Sequence, residues 1–470
     1  MELFMKMNSL VNGFVWGPIM LTLLIGTGLY LSMRAGFIQF RFFPYALKNT
    51  VGGLFSGRHN KASESNITPF QAVSTALAST VGTGNIVGVA TAISVGGPGA
   101  VFWMWISALL GMMTKYSEIV LAVRYRETNK MGQYVGGPMY YLKNGVGAKW
   151  PKVGAILGSV FAFFAAIACF GIGNMTQANS IAGAFENTFG IDKTVIGLVL
   201  AAIVAVVILG GIKSIARITE LIVPIMAAFF ILFGIVILVI HAHELPTTIV
   251  DIFKGAFDPS AVLGGAAGVT IMTVVRMGFA RGVFSNEAGL GSAPIAHAAS
   301  STQDPVEQGL WGIFEVFVDT IIICTMTALI ILSVTDPSTG DYLWIGGQYD
   351  GAALTLKAFE YGVPGQIGSI GLTIGLALFA LSTIFGWCYY GEKSWEYLFR
   401  NNDQARKIVI LLFRSVYVFA VFLGSIGGLQ LVWGIADTLN GCMAIPNLIG
   451  VLLLSGVVLK ETKEYFKHRF

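Results

Sequence analysis

From Ala78 to Gly88 the chain reads Ala-Ser-Thr-Val-Gly-Thr-Gly-Asn-Ile-Val-Gly, small and polar residues set inside an otherwise apolar stretch. Gly82 and Gly84 allow a helix to unwind there. A broken helix inside a membrane exposes N–H groups at the start of one half, which suit a carboxylate, and carbonyls at the end of the other, which suit a cation. The simpler alternative is that the glycines only let two helices cross closely, which leaves Thr80, Thr83 and Asn85 without a reason. A nucleotide loop is excluded, since no Lys-Ser/Thr follows Gly82-Thr83-Gly84 and Gly88 comes one residue late for a dinucleotide fingerprint. No Gly-x-x-x-x-Gly-Lys-Ser/Thr occurs anywhere, so uphill work would have to draw on an ion gradient.

A second unusual stretch holds Arg276-Met277-Gly278-Phe279-Ala280-Arg281-Gly282, then Ser285-Asn286-Glu287 and Gly289-Leu290-Gly291. It too reads as a poor continuous helix. Phe170, Asn174 and Gln177 are spaced four and three apart and fall on one helical face; a polar stripe at that depth lines a cavity more often than it faces lipid. Gln177 is the expected side-chain contact to a bound ligand, with hydrogen bonding between helices as the alternative. Arg281, Glu287, Glu315 and Asp319 form the densest charge set within apolar segments, and Glu315 and Asp319 share a face at i and i+4. They are expected to build an inner gate or a purely structural buried network. His241, His243 and His297 have no metal-ligand geometry, and the four cysteines stand alone in apolar stretches, which indicates buried thiols.

The elements that must position these residues follow from composition. The 470 residues are 55% apolar and only 11% charged, against roughly 25% charged in soluble domains. The apolar residues come in blocks of about 20, the length that crosses a hydrocarbon core of about 30 Å. Eleven spans are expected, near 13–33, 68–96, 99–123, 153–181, 193–211, 215–241, 264–299, 306–333, 365–391, 405–427 and 430–459. Alternating sides then gathers the basic runs 34–61, 124–152, 213–217, 393–407 and 460–469 on one face and leaves Lys6, Lys193, Lys254 and Lys357 on the other. The positive-inside rule therefore puts the N-terminus outside and the C-terminus in the cytoplasm. The first span has no cleavage site before Arg34 and reads as retained. A net charge of +4 without a basic soluble domain argues against nucleic-acid binding.

The two glycine-rich spans are the second and the seventh, five apart and so of opposite orientation, the pattern of a five-plus-five inverted repeat. The chain divides accordingly into an extra N-terminal helix and cytoplasmic linker (1–67), a first repeat (68–241), an extracellular linker (242–263), and a second repeat with a cytoplasmic tail (264–470). The segment from Ser333 to Pro364, with its apolar run Ala352 to Phe359, is expected to lay a lid helix over the extracellular mouth.

The run Ala78 to Gly88 resembles the unwound first core helix of the leucine-transporter fold. Gly96-Gly97-Pro98-Gly99-Ala100-Val101-Phe102-Trp103-Met104-Trp105, Gly136-Gly137-Pro138-Met139-Tyr140-Tyr141 and Phe284-Ser285-Asn286-Glu287-Ala288-Gly289 look like the alanine/glycine:cation symporter family, also known as sodium:alanine symporters. The resemblance spans about residues 68 to 395. It implies an all-α membrane protein importing alanine or glycine by alternating access, with sodium as the usual co-transported cation, protons possible, and no cofactor. By matching position, Gly82, Thr83, Gly84 and Asn85 would meet the substrate carboxylate, and Met277, Gly278 and Phe279 would form the facing half of the pocket, beside Phe170 and Gln177. The carbonyls of Ala78 and Val81 and the hydroxyls of Ser382 and Thr383 would hold one cation; neutral oxygens suit a monovalent ion, although a Ser-Thr pair in mid-helix often bonds only its own backbone. Expected partners are a small neutral amino acid, sodium and the lipid bilayer of the cell membrane. An ion channel or amino-acid receptor of the same architecture is the rival, and a membrane enzyme lacks both aspartate clusters and paired catalytic groups.

Overall fold

A computed structural model describes residues 2–52, 66–258, 270–345, 349, 351–427 and 430–467. It is built from helices; the strand pairing among the described residues is one short antiparallel pair, Glu127–Thr128 with Tyr134–Val135, and two isolated bridges. The principal helices are α1 (Glu2–Val15), α2 (Pro18–Arg34), α3 (Pro69–Thr80), α4 (Val87–Gly96), α5 (Gly99–Arg124), α6 (Pro151–Phe170), α7 (Thr176–Phe189), α8 (Lys193–Leu209) and α9 (Gly211–Ile240). They continue as α10 (Leu245–Phe257), α11 (Ile271–Asn286), α12 (Pro305–Val316), α13 (Thr325–Ser333), α14 (Gly351–Gly362), α15 (Ile367–Leu398), α16 (Asp403–Ile426), α17 (Gln430–Leu453) and α18 (Ser455–Lys467).

Among the described residues, eight helices have the length and apolarity to cross a membrane, and a ninth span is the bent pair α3 and α4. The two remaining expected spans correspond to α8, an apolar helix of 17 residues, and α11, of which 16 residues are helical. Residues 264–269 and 259–263, the start of that span and the end of the expected linker, lie outside the described residues.

Local chemistry sets the decisive boundaries. Thr68 and Gln71 form a reciprocal cap, the Thr68 hydroxyl accepting from Gln71 N at 3.1 Å and the Gln71 amide oxygen from Thr68 N at 3.0 Å, with Pro69 opening α3. Asp304 caps α12 through the N–H groups of Val306 and Glu307, ahead of Pro305. The bend between α3 and α4 is 56°, with a single 3-10 turn, Thr83–Asn85, between them.

The seventh span breaks later than its sequence suggests. Arg276–Gly282 is continuous helix, because Gly278 and Gly282 press against α5: an added Cβ at Gly278 would stand 2.5 Å from Trp103 Cβ and 2.6 Å from the Ala100 carbonyl. The helix ends at Glu287, a non-glycine residue at φ 56°, and the chain turns through Gly289 (φ 92°) and Gly291 (φ 83°). Two further irregularities are π-helical turns, Gly171–Met175 between α6 and α7 and Phe317–Cys324 between α12 and α13. Such turns add a residue to the helical repeat and often sit at functional sites.

The apolar run beyond Ser333 does form a helix, α14, which packs on α4, α13 and α15. Asp350 of that segment lies outside the described residues.

Candidate functional site

The break between α3 and α4 faces α15, and the two are held at very short range. An added Cβ at Gly386 would lie 1.8 Å from Ser79 Oγ, and one at Gly82 would lie 2.5 Å from Thr383 Oγ1, so both positions need glycine for space. This approach carries the α15 hydroxyls to the end of α3. Ser382 Oγ donates to the Ala78 carbonyl at 3.2 Å; Thr383 Oγ1 lies 3.1 Å from the same carbonyl and 3.3 Å from that of Val81. Both hydroxyls also reach the Phe379 carbonyl of their own helix, at 2.8 and 2.9 Å. Self-bonding and cross-helix bonding therefore coexist. Ala78, Val81, Ser382 and Thr383 gather four neutral oxygens, all buried, with no carboxylate among them.

On the other side of the break, side chains take the freed N–H groups. Gly82 N donates to Asn85 Oδ1 at 2.9 Å, and Thr83 N to Gln177 Oε1 at 3.3 Å. Gln177 Nε2 in turn donates to Thr83 Oγ1 at 3.0 Å, so one amide grips Thr83 twice. Asn85 Nδ2 donates to Asp319 Oδ1 at 2.7 Å, and Asp319 Oδ2 accepts from Ser285 and Thr320, each at 2.8 Å. Gly84 faces α11 across a narrow gap, its absent Cβ 3.2 Å from both the Phe284 ring and Ser285 Cα.

A charged network lies below. Lys115 of α5 pairs with Glu315 at 2.9 Å and donates to the Asn286 carbonyl at 2.8 Å, with both charged side chains fully buried. Glu315 also accepts from Thr80 Oγ1 at 2.9 Å and lies 3.1 Å from His297 Nε2, whose Nδ1 is 2.7 Å from the Gln308 amide. The carboxyls of Glu315 and Asp319 thus clasp opposite sides of one break, Thr80 on α3 and Asn85 beyond it. Glu287, at the second break, accepts from Ser292 at 2.5 Å and from Trp387 of α15 at 3.0 Å. Asn447 of α17 bonds Glu118, Tyr141 and the Gly289 carbonyl.

The sequence-predicted residues separate cleanly. Gly82, Thr83, Gly84, Asn85 and Gln177 meet at the break, and Ala78, Val81, Ser382 and Thr383 meet beside it. Phe170 does not join them: its ring packs on Phe413 and Tyr417, with centroids 5.4 and 5.7 Å away. The π turn Gly171–Met175 is the reason, because the extra residue rotates Phe170 off the face that Gln177 occupies; Asn174 likewise turns to the Tyr417 carbonyl at 2.8 Å. Met277, Gly278 and Phe279 also stand apart, against α4 and α5: Met277 Cβ lies near Gly96, and the Phe279 ring is 6.2 Å from Trp103. Because α11 runs unbroken through them, the wall facing Gly84 is one to two turns further on, at Phe284 and Ser285. Arg281 sits 5.6 Å over the Phe284 ring and outside the Glu315 network. Lys115 carries a signal in the sequence, since a lysine inside an apolar span implies a specific role or a snorkelled position, whereas nothing local marks Thr320 or Trp387.

The whole chain, residues 1–470, matches the family described as the sodium:alanine symporter family. It is 50% identical to the sodium/alanine symporter AgcS of Methanococcus maripaludis, over 98% of this chain and 97% of that protein. It is 37% identical to a probable sodium/glutamine symporter, GlnT, of Bacillus subtilis, over 98% and 90% of the two chains. In fold it resembles a Na+-coupled sialic acid symporter (TM-score 0.52, 12% identity, 94% of this chain and 98% of that one). It also resembles a manganese transporter of Eremococcus coleocola (TM-score 0.50, 14% identity, 83% and 78%). With a multi-helical membrane architecture, a broken span at its centre and a family match from end to end, the chain belongs to the sodium:alanine symporter family and is a membrane transporter, not an enzyme.

Proposed function

We propose that this transporter imports alanine or glycine together with one sodium ion by alternating access. The observation that carries the reading is the convergence of Ser382 and Thr383 hydroxyls on the Ala78 and Val81 carbonyls at the end of α3. Four neutral oxygens in a water-poor site match a monovalent ion that sheds its hydration shell. The substrate carboxylate binds at the Thr83–Gly84 turn, where it displaces the Gln177 amide oxygen from Thr83 N; Gln177 then swings its Nε2 donor onto the carboxylate. Asn85 keeps the turn in shape by holding Gly82 N and Asp319 together. A small side chain is favoured because Phe284 and Ser285 stand so close to Gly84.

The reading includes eleven spans, with the five-plus-five inverted repeat running from residue 68 to the C-terminus and the first helix outside it. It places the N-terminus outside, the C-terminus in the cytoplasm, and α14 as a lid on the extracellular side, where Thr355 Oγ1 donates to the Ile86 carbonyl at the start of α4 at 3.2 Å. Proteoliposomes holding the purified protein test the function. Labelled alanine should accumulate only under an inward sodium gradient, with unlabelled glycine competing and glutamine not. Accumulation without sodium, or sodium-dependent uptake of glutamine in preference to alanine, would refute the coupling or the substrate respectively.

A further inference from the structure

On the outer wall of the helix bundle, α8 and α16 part where α8 ends. Two adjoining cavities of about 480 and 370 Å³ open there and share Leu209, Ile410 and Arg414. The Gly210–Gly211 turn makes the room, with Gly211 at φ 62° sending the chain away into α9. Along α16 the walls are Lys407, Ile410, Leu411, Arg414 and Val418, spaced three, four and seven apart and so one face of the helix. Ala205 and Ile208 of α8 close the larger cavity opposite them. The surrounding surface is lipid-facing, with Val206 at 74%, Leu209 at 72% and Leu411 at 66% exposure.

The polarity of this space is graded. Its end near the start of α16 is basic and its deep end is apolar. The two cavities together are lined by Lys393, Lys407 and Arg414 against Glu392 and Glu396, so that Lys407 adds a positive charge beyond the two that these carboxylates pair, and Lys213 also lines the smaller cavity. Lys393 is tied to Glu396 at 2.6 Å and Arg414 Nε to Glu392 at 2.7 Å. The Arg414 guanidinium still reaches towards the turn, its Nη2 3.7 Å from where a Gly211 Cβ would be, and its remaining N–H donors suit a phosphate. The nearby Asp403 carboxylate is held by Arg406 at 3.2 Å and by Lys130, while Lys407 is exposed on the cavity side.

We infer that this is a binding site for one anionic phospholipid, its phosphate between Lys407 and Arg414 and an acyl chain in the apolar cavity along Ala205, Ile208 and Val418. Basic pockets between transmembrane helices recognise anionic headgroups in this way. A free phosphate would leave the apolar half unused, and a zwitterionic lipid would not answer the charge of Lys407. Arg414 also bonds Glu392 of α15, so the site lies where α15 meets α16. The inference rests on membrane residence and not on the substrate assigned above.

The test is native mass spectrometry of the full chain released from detergent, titrated with phosphatidylglycerol or phosphatidylcholine, beside Lys407→Ala, Lys407→Glu and Ala205→Phe. Wild type should retain one phosphatidylglycerol in preference to phosphatidylcholine. Lys407→Ala should weaken it about fivefold and Lys407→Glu about thirtyfold. Ala205→Phe should weaken retention by filling the acyl cavity, and glycerol 3-phosphate alone should not compete. Thermal unfolding in phosphatidylcholine should be the same for wild type and the Lys407 variants, showing that they fold. Equal retention of the two lipids, a Lys407→Glu protein that keeps the preference, or a dimer whose second copy blocks this groove would overturn the assignment.

Discussion

Replacing Thr383 by valine removes one oxygen and little else, since size and β-branching are kept and the new methyl takes the place of Oγ1 against Gly82. In the ion-free protein the Val81 carbonyl loses the hydroxyl 3.3 Å away, while Ala78 keeps Ser382 at 3.2 Å. With sodium bound, one of four oxygen ligands is gone. A buried group stripped of its partner costs about 1–3 kcal/mol, about a 5- to 150-fold loss of cation affinity. Cation and substrate binding are reciprocally coupled, so this loss should appear as a demand for more sodium. The assay is labelled-alanine binding to purified protein across a sodium series. The expected result is a rise in the sodium concentration for half-maximal binding by that factor, with alanine affinity partly restored at high sodium. A variant that loses alanine binding equally at every sodium concentration would place Thr383 in the substrate site. Unchanged sodium dependence would reduce the Thr383 contacts to helix packing and refute the cation assignment.

Gly82→Ala should bring uptake in proteoliposomes to background, because its Cβ would stand 2.5 Å from Thr383 Oγ1 and 3.3 Å from Gln177 Oε1; wild-type uptake would show that the gap is not as tight as described. Asn85→Ala leaves Gly82 N and Asp319 each short of a partner and should weaken alanine binding about 5- to 150-fold at saturating sodium, a loss that a binding isotherm would either reveal or deny. Lys115→Met takes the lysine charge from the buried Glu315 carboxylate, leaving it Thr80 and His297, and should cost about 3–5 kcal/mol in unfolding, whereas Lys115→Met with Glu315→Gln should recover most of it. Equal melting points for the single and double variants would contradict this. Phe284→Ala should admit valine or leucine in competition assays and Met277→Ala should not; the reverse pattern would restore the pocket wall to Met277.

Much of the architecture is written in local chemistry. The apolar blocks predict where most helices run, and the Thr68-Pro69-x-Gln71 cap and Gly82-x-Gly84 mark where one begins and where it stops. Those signals are legible because they depend on near neighbours along the chain. Phe170 shows the limit. Its spacing to Gln177 is correct for an α-helix, but a π turn lies between them, and such a turn is stabilised by what packs around it, here Ala436 against Gly171 and Trp387 against Gly173. Gly278 misleads in the same way: a glycine that permits unwinding and a glycine that permits close packing are the same residue, and only the α5 backbone pressed against it settles which.

The sequence by itself determined that the chain lives in a bilayer and that its second span breaks at Gly82–Asn85, because hydrophobic length and glycine content act locally; Gln177 stood out by its place on a helical face, and Ser382-Thr383 only by the resemblance to the leucine-transporter fold. Only the tertiary structure decided which of these meet. The approach of α15 to α3 at Gly386 delivers the hydroxyls to Ala78 and Val81, and the register of α11 on α5 sets Phe284 and Ser285, not Met277–Phe279, opposite Gly84. The pairing of Lys115 with Glu315 joins positions 200 residues apart. Such contacts depend on the distance between packed helices to within a fraction of an ångström, a quantity fixed by all their side chains together.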